Sequence, residues 1–222
     1  MLGCPLLALV LGCANAASAE RDAAIDAKPI DAPPPIDAPR LVTLNQTDSQ
    51  TVTPQASVAC NQMGPPQVSR ENSYYRVFEL RGWSIDRPFT PLKVDFGIEQ
   101  ATATVGSQMI EVRLHTLTGP LQLANLTTIA TISATLPNSG ITMATVPIDP
   151  APVVDPSATL VVEVHAPDGT TAGSTFFIGA NKQGESAPGY LRAPDCGIAE
   201  PTPYATIGFP TTRLVLTLTG TY

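Results

Sequence analysis

Residues 92–99 read Leu-Lys-Val-Asp-Phe-Gly-Ile-Glu, an apolar–polar alternation with a period of two. Successive side chains of an extended chain point to opposite faces, so this spacing predicts a strand with one buried and one wet face. Leu92, Val94, Phe96 and Ile98 form the inward set; Lys93, Asp95, Gly97 and Glu99 the outward. Residues 109–117 repeat it, with Ile110, Val112 and Leu114 inward and Glu111, Arg113 and His115 outward. Residues 159–165 set Leu160, Val162 and Val164 against Val161, Glu163 and His165. Similar runs at 41–47, 74–80, 126–136, 141–148, 174–179 and 213–220 bring the total to about nine strands. No window carries a helical stripe. Short strands separated by Pro, Gly, Asn and Asp predict an all-β, antiparallel two-sheet β-sandwich, jelly-roll-like, over residues 41–222. That length suffices to bury a substantial core as one unit.

The chain before residue 41 obeys different physics. Pro5 to Leu11 is an apolar run too short to span a bilayer, which fits the core of a secretory signal. Met1-Leu2-Gly3 carries no Lys or Arg, so a basic leader would start upstream. Residues 20–40 are built from Pro, Ala and Asp, with Ile-Asp-Ala recurring at 25, 30 and 36. Such a tract has too little apolar surface to offset backbone ordering, and proline biases it toward extended polyproline II. From Ala14 to Arg40 it would reach at most about 80 Å as a semi-rigid spacer.

Leu9-Val10-Leu11-Gly12-Cys13 resembles the lipobox of bacterial lipoproteins. The resemblance implies a signal peptide over residues 1–12 and a diacylglycerol-modified, palmitate-bearing Cys13 at the mature N-terminus. It further implies a disordered tether over 13–40 and an extracytoplasmic address. Asp/Ala/Pro repeats after such a cysteine look like the tethers of Gram-negative surface lipoproteins. Asp after the lipid cysteine often marks inner-membrane retention there; Ala14 at that place implies the outer membrane. The rival expectation is cleavage after Ala17-Ser18-Ala19, which releases a secreted protein beginning at Glu20.

With Cys4 lost in the signal and Cys13 acylated, Cys60 and Cys196 remain, and a lone pair in an oxidising compartment is read as a disulfide. Net charge is −7 and the basic residues are scattered singly, which excludes a nucleic-acid footprint. No other apolar run is long enough to cross a membrane as a helix.

Catalytic and metal chemistry finds little support. His115 and His165 are read as solvated histidines on outward strand faces; the alternative is a metal held between them with Asp or Glu. Gly184-Glu185-Ser186-Ala187-Pro188 approaches the G-x-S-x-G elbow, but Pro188 replaces the last Gly and no strand-to-helix turn is expected. Asp168, Asp195 and Glu200 fall in loops and would offer oxygens to calcium, without an EF-hand array; no cofactor is required. Trp83, Phe89, Tyr190 and Tyr204 lie in or near predicted loops. Of these, Trp83 and Tyr190, together with Asn181, form the candidate ligand-facing loop set.

Phe176 to Asn181, Tyr190-Leu191, Asp195-Cys196-Gly197 and Ile207 to Pro210 look like the C-terminal half of secreted bacterial β-sandwich domains. The likeness covers about a quarter of the chain and implies the fold, with no chemistry attached. The expectation is a monomeric, non-enzymatic binding module, joined to the membrane by its lipid and facing a glycan, peptidoglycan or another envelope protein. The alternatives are a freely secreted carbohydrate-binding or hydrolase-accessory domain, and a glycan hydrolase whose carboxylate pair leaves no linear motif.

Overall fold

The computed structural model describes residues 38–222 apart from 63, 65 and 66. The signal segment, Cys4, Cys13 and the tether up to residue 37 lie outside the described residues. Ala38–Tyr222 forms a compact unit of antiparallel sheets. The first sheet runs in the order β1 (Leu41–Asn45), β15 (Leu216–Thr221), β5 (Thr90–Ala103) and β10 (Ser174–Ile178), with β8 (Thr142–Pro147) also paired to β5. The second has six strands: β13 (Ile198–Pro203), β12 (Tyr190–Ala193), β4 (Asn72–Glu79), β9 (Thr159–Ala166), β6 (Gln108–Leu117) and β7 (Leu126–Leu136). Two small ribbons complete the fold, β2 (Asn61–Gln62) with β3 (Val68–Ser69) and β11 (Ala180–Asn181) with β14 (Arg213–Leu214). No helix among the described residues is long and apolar enough to cross a membrane.

The chain is the all-β sandwich that alternation predicts. All nine expected strands are present, the last divided at Val215 into β14 and β15. Among the described residues the strands number fifteen; β2, β3, β11, β12 and β13, which the alternation did not announce, have only two to six residues each. Segments that short carry too few alternations to register as a period.

One inward assignment is corrected. Val94, Phe96 and Ile98 are buried as expected, whereas Leu92 is 39% exposed. On β15, Thr219 pairs with Lys93 but the next residue, Gly220, pairs with Pro91. Leu92 is therefore the extra residue of a β-bulge, and the alternation changes phase across it.

The core lies between the sheets. Tyr74 and Phe78 of β4, Leu160, Val162 and Val164 of β9, and Ile110, Val112 and Leu114 of β6 pack toward Val94, Phe96, Phe176, Ile178, Leu216 and Leu218 of the first sheet. The Phe176 ring meets Tyr74 edge-on at 6.2 Å and Phe96 at 6.5 Å. Each such buried side chain contributes on the order of 1.5–3 kcal/mol. Where β5 passes from β15 to β10, Gly97 and Gly179 stand back to back: the Gly179 amide donates to the Gly97 carbonyl at 2.6 Å. A Cβ on Gly97 would sit 2.6 Å from Val52 and 3.0 Å from the Gly179 Cα. Glycine is needed at both places because the two backbones touch.

Cys60 and Cys196 form the expected disulfide, with Cα atoms 5.9 Å apart in space and 136 positions apart in sequence. The buried Asn72 side chain brackets Cys60, accepting from its amide at 2.7 Å and donating to its carbonyl at 3.1 Å. The cross-link thus fastens the segment before β2 to the turn before β13.

Candidate functional site

The outer face of the six-stranded sheet is where polar chemistry collects. On β4, Tyr74 and Phe78 enter the core, so Ser73, Tyr75, Val77 and Glu79 face away from it. Register then aligns outward residues across the sheet: Tyr190, Tyr75, Glu163 and Arg113 form one row, and Arg192, Ser73, His165 and Glu111 the next. Directly opposed side chains of antiparallel strands interact, so these rows are physical neighbours.

Two depressions open on this face. The larger, about 600 Å³, forms because β12 pairs with β4 only over Ser73–Tyr75 and leaves Val77 without a β12 partner. Gln46 fills part of the gap, donating its amide nitrogen to the Val77 carbonyl at 2.6 Å. Trp83 and Tyr190, both half-buried, line the cleft with Gln46, Glu79 and Ser186. Trp83 ends a 3-10 turn, Leu80–Trp83, which is anchored by fully buried Leu80 and closed by Ser84 in the left-handed conformation. Its ring lies 6.4 Å from Phe78, so the indole is seated on the core. Gln46 is only 5% exposed, and its side-chain oxygen has no hydrogen-bond partner. That oxygen is itself buried, and an unspent acceptor in such a place is costly.

The wall formed by Ser186, Ala187 and Pro188 is held from inside. Arg76, fully buried, donates to the Glu185 carboxylate at 3.0 Å and to the carbonyls of Ala187 at 2.5 Å and Leu214 at 2.6 Å. Glu185 also pairs with Arg213 at 3.3 Å. Burial lowers the Arg76 pKa while Glu185 opposes the shift. A buried guanidinium held in this way through its two terminal nitrogens, its Nε being left without a partner, fixes the loop, since the loop supplies groups that compensate its lost hydration.

The second depression, about 440 Å³, is centred on Glu163. Its carboxylate accepts from His115 Nε2 at 2.8 Å, Arg113 at 3.2 Å and the Tyr75 hydroxyl at 3.2 Å. Burial pushes the Glu163 pKa up, but the bonds from His115 and Ser73 and the Arg113 charge outweigh it, leaving it below the usual glutamate value. A carboxylate only accepts, so His115 Nε2 carries the proton, and Thr128 lies 3.0 Å from the other ring nitrogen. His165 Nδ1 sits 2.9 Å from the Ser73 hydroxyl; burial, reinforced by Arg113, lowers its pKa and keeps it neutral at neutral pH. Burial and Glu163 both raise the Tyr75 pKa. At the rim, Arg192 pairs with Glu71, and Arg113 with Glu111 at 2.5 Å.

The expectation of solvated histidines is corrected. His115 is 4% exposed, and both rings converge on Glu163 from neighbouring strands. They face outward as predicted, but the sheet places a carboxylate between them. Among the described residues no group of three or more His, Cys, Asp or Glu side chains is arranged to hold a metal ion. Asp168 and Asp195 both turn to Arg70, at 3.3 and 4.0 Å, while Glu200 accepts from the Leu123 amide. The three loop carboxylates are thus not brought together as a calcium ligand set.

Of the candidate ligand-facing residues, Trp83 and Tyr190 share one cleft and Asn181 does not. Asn181 is fully buried, donates to the Ser49 carbonyl at 2.7 Å and caps the Gln183 amide, which makes it a loop clamp. Phe89 and Tyr204 are core residues. Ser186 stands in the cleft wall, while both histidines line the other depression. Gln46, Arg76 and the Glu163 network escaped sequence reasoning. The runs Glu111/Arg113/His115 and Glu163/His165 were the available signal, for two polar faces this rich in titratable groups are informative once adjacent.

No family model and no curated protein matches this chain. Among solved structures, the cysteine protease and lectin-like domains of Cwp84, a surface-layer-associated protein of Clostridium difficile, align over 69% of this chain and 33% of that one, at 12% identity and a TM-score of 0.48. Infectious bursal disease virus, Gx strain, aligns over 83% of this chain and 36% of the other, at 8% identity and a TM-score of 0.31. This chain therefore spans about a third of the length of either, and neither brings a residue role to it.

Proposed function

We propose that this domain is a non-catalytic glycan-binding module, carried on a lipid-anchored tether of the outer membrane. The observation that carries the reading is the convergence of Trp83 and Tyr190 on one cleft that Glu79 and Ser186 also line. Flat aromatic rings pack against the apolar faces of sugar rings, and a few fixed polar groups then orient the hydroxyls. Glu79 supplies a carboxylate and Ser186 a hydroxyl. Hydrolysis of a glycosidic bond calls for two carboxylates flanking it. Among the described residues Glu79 is the one carboxylate lining this cleft. In the neighbouring depression Glu163 is committed to His115 and Arg113, and Glu71 to Arg192. That distribution favours binding over catalysis.

The anchor rests on the lipobox-like run ending at Cys13 and the Pro/Ala/Asp tract after it. A Pro/Ala/Asp-rich tract between a lipid and a domain suits a module that must reach a polymer away from the bilayer. The test of the binding reading is retention on immobilised chitin, cellulose, xylan and peptidoglycan. The reading expects retention of the wild-type chain on at least one, and its loss in Trp83→Ala.

A further inference from the structure

The cleft and the Glu163 depression adjoin each other on the same sheet face. Tyr190 and Tyr75 are register partners, one lining each depression. Val77 and Tyr75 sit two residues apart on the same face of β4, about 7 Å along the strand, again one in each. A ligand seated against Tyr190 is therefore one strand position from the Glu163 pocket.

The electrostatics of that pocket select among ligands. Each rim cation is matched by a carboxylate, Arg192 by Glu71 and Arg113 by Glu111, and Glu163 adds another at the floor, so the pocket holds no unmatched cation to attract an anion. What it offers is donors and acceptors side by side, which suits a hydroxyl, since a hydroxyl both donates and accepts. Glu163 at the floor is already saturated by His115, Arg113 and Tyr75, and an uncharged guest leaves that network intact. A free ion would have to compete with bonds already made.

We infer that the glycan is an uncharged oligosaccharide long enough to run from the Trp83–Tyr190 cleft into the Glu163 pocket. This rests on the glycan reading above and adds chain length and charge to it. Short sugars fill the aromatic cleft alone; longer ones gain the hydrogen bonds of the Arg113 and Arg192 rims.

The experiment is calorimetric titration of the full chain with chito-, cello- and xylo-oligosaccharides of two to six units, alongside oligogalacturonates of the same lengths. The expected result is an affinity that climbs about tenfold or more from dimer to hexamer in one neutral series. Arg192→Gln should flatten that climb, and His165→Gln, at the same pocket, is the second variant should the first not fold. An affinity independent of length, an equal effect of both variants on every member, or tighter binding of the oligogalacturonates overturns the inference and leaves the cleft reading standing. Failure of the wild-type chain to bind any member of any series removes both.

Discussion

Tyr190 on β12 and Tyr75 on β4 face each other across a strand pair, yet each lines a different depression of the same sheet. The reason is that β12 leaves β4 just beyond this pair. On one side lies a notch floored by an open strand edge, and on the other the closed sheet with its charged rows. The consequences are open to measurement.

The disulfide closes a loop of 136 positions, and Asn72 fixes its first half-cystine from both backbone sides. Cys60→Ser and Cys196→Ser should each lower stability by about 2–5 kcal/mol. Denaturant melts of the two variants should overlay. A large loss in one and none in the other would contradict the shared cross-link.

Acid should weaken the fold through Glu163 and His165. Glu163 titrates lower in the fold than in the unfolded chain, where its value is about 4.3. Its contribution is present above that pH and is lost as pH falls through the lower folded value. His165 is also lowered, from about 6.5, so the unfolded chain takes up its proton first and stability declines below that point. Melting temperature should therefore fall from pH 7 toward pH 4, with a shallower slope in His165→Gln. An unchanged slope would show that the ring does not titrate as its surroundings demand.

Arg76→Met removes three hydrogen bonds and leaves Glu185 with Arg213. Breaking a buried pair from one side costs about 3–5 kcal/mol. The loop that walls the cleft should loosen with it, so hydrogen exchange at Ser186 and Ala187 should accelerate more than in the six-stranded sheet. Uniform acceleration would mean that Arg76 supports the whole fold equally.

The anchor reading makes its own demand on Cys13. Cys13→Ala should move the protein from the membrane to the soluble fraction, and a membrane-bound variant would contradict acylation at that cysteine.

Most of the scaffold was legible because burial imposes its period locally. Leu160, Val162 and Val164 declare their face without knowing their neighbours. Leu92 faces outward because β5 bulges there against β15, a pairing with a strand far away in sequence. The short strands β11 to β13 span too few residues to declare a period in the sequence, although Leu191 and Ala193 of β12 reach the core. At the site, Trp83 and Tyr190 were visible as loop aromatics, but their meeting depends on where β12 stops. His115 and His165 were visible on outward faces, while their convergence depends on β9, which carries Glu163 and His165, lying beside β6, which carries His115. Asn181 had the look of a ligand residue and is a clamp, because its amide is consumed by the Ser49 carbonyl.

The most direct measurement of the central claim is retention of the full chain and of Trp83→Ala on immobilised chitin, cellulose, xylan and peptidoglycan, with thermal melts of both run in parallel. The account predicts that the wild-type chain is held by at least one polymer and that Trp83→Ala keeps a cooperative melt but loses about tenfold or more in affinity. Equal retention of the two proteins, or no retention of either, would contradict a glycan site at the Trp83–Tyr190 cleft.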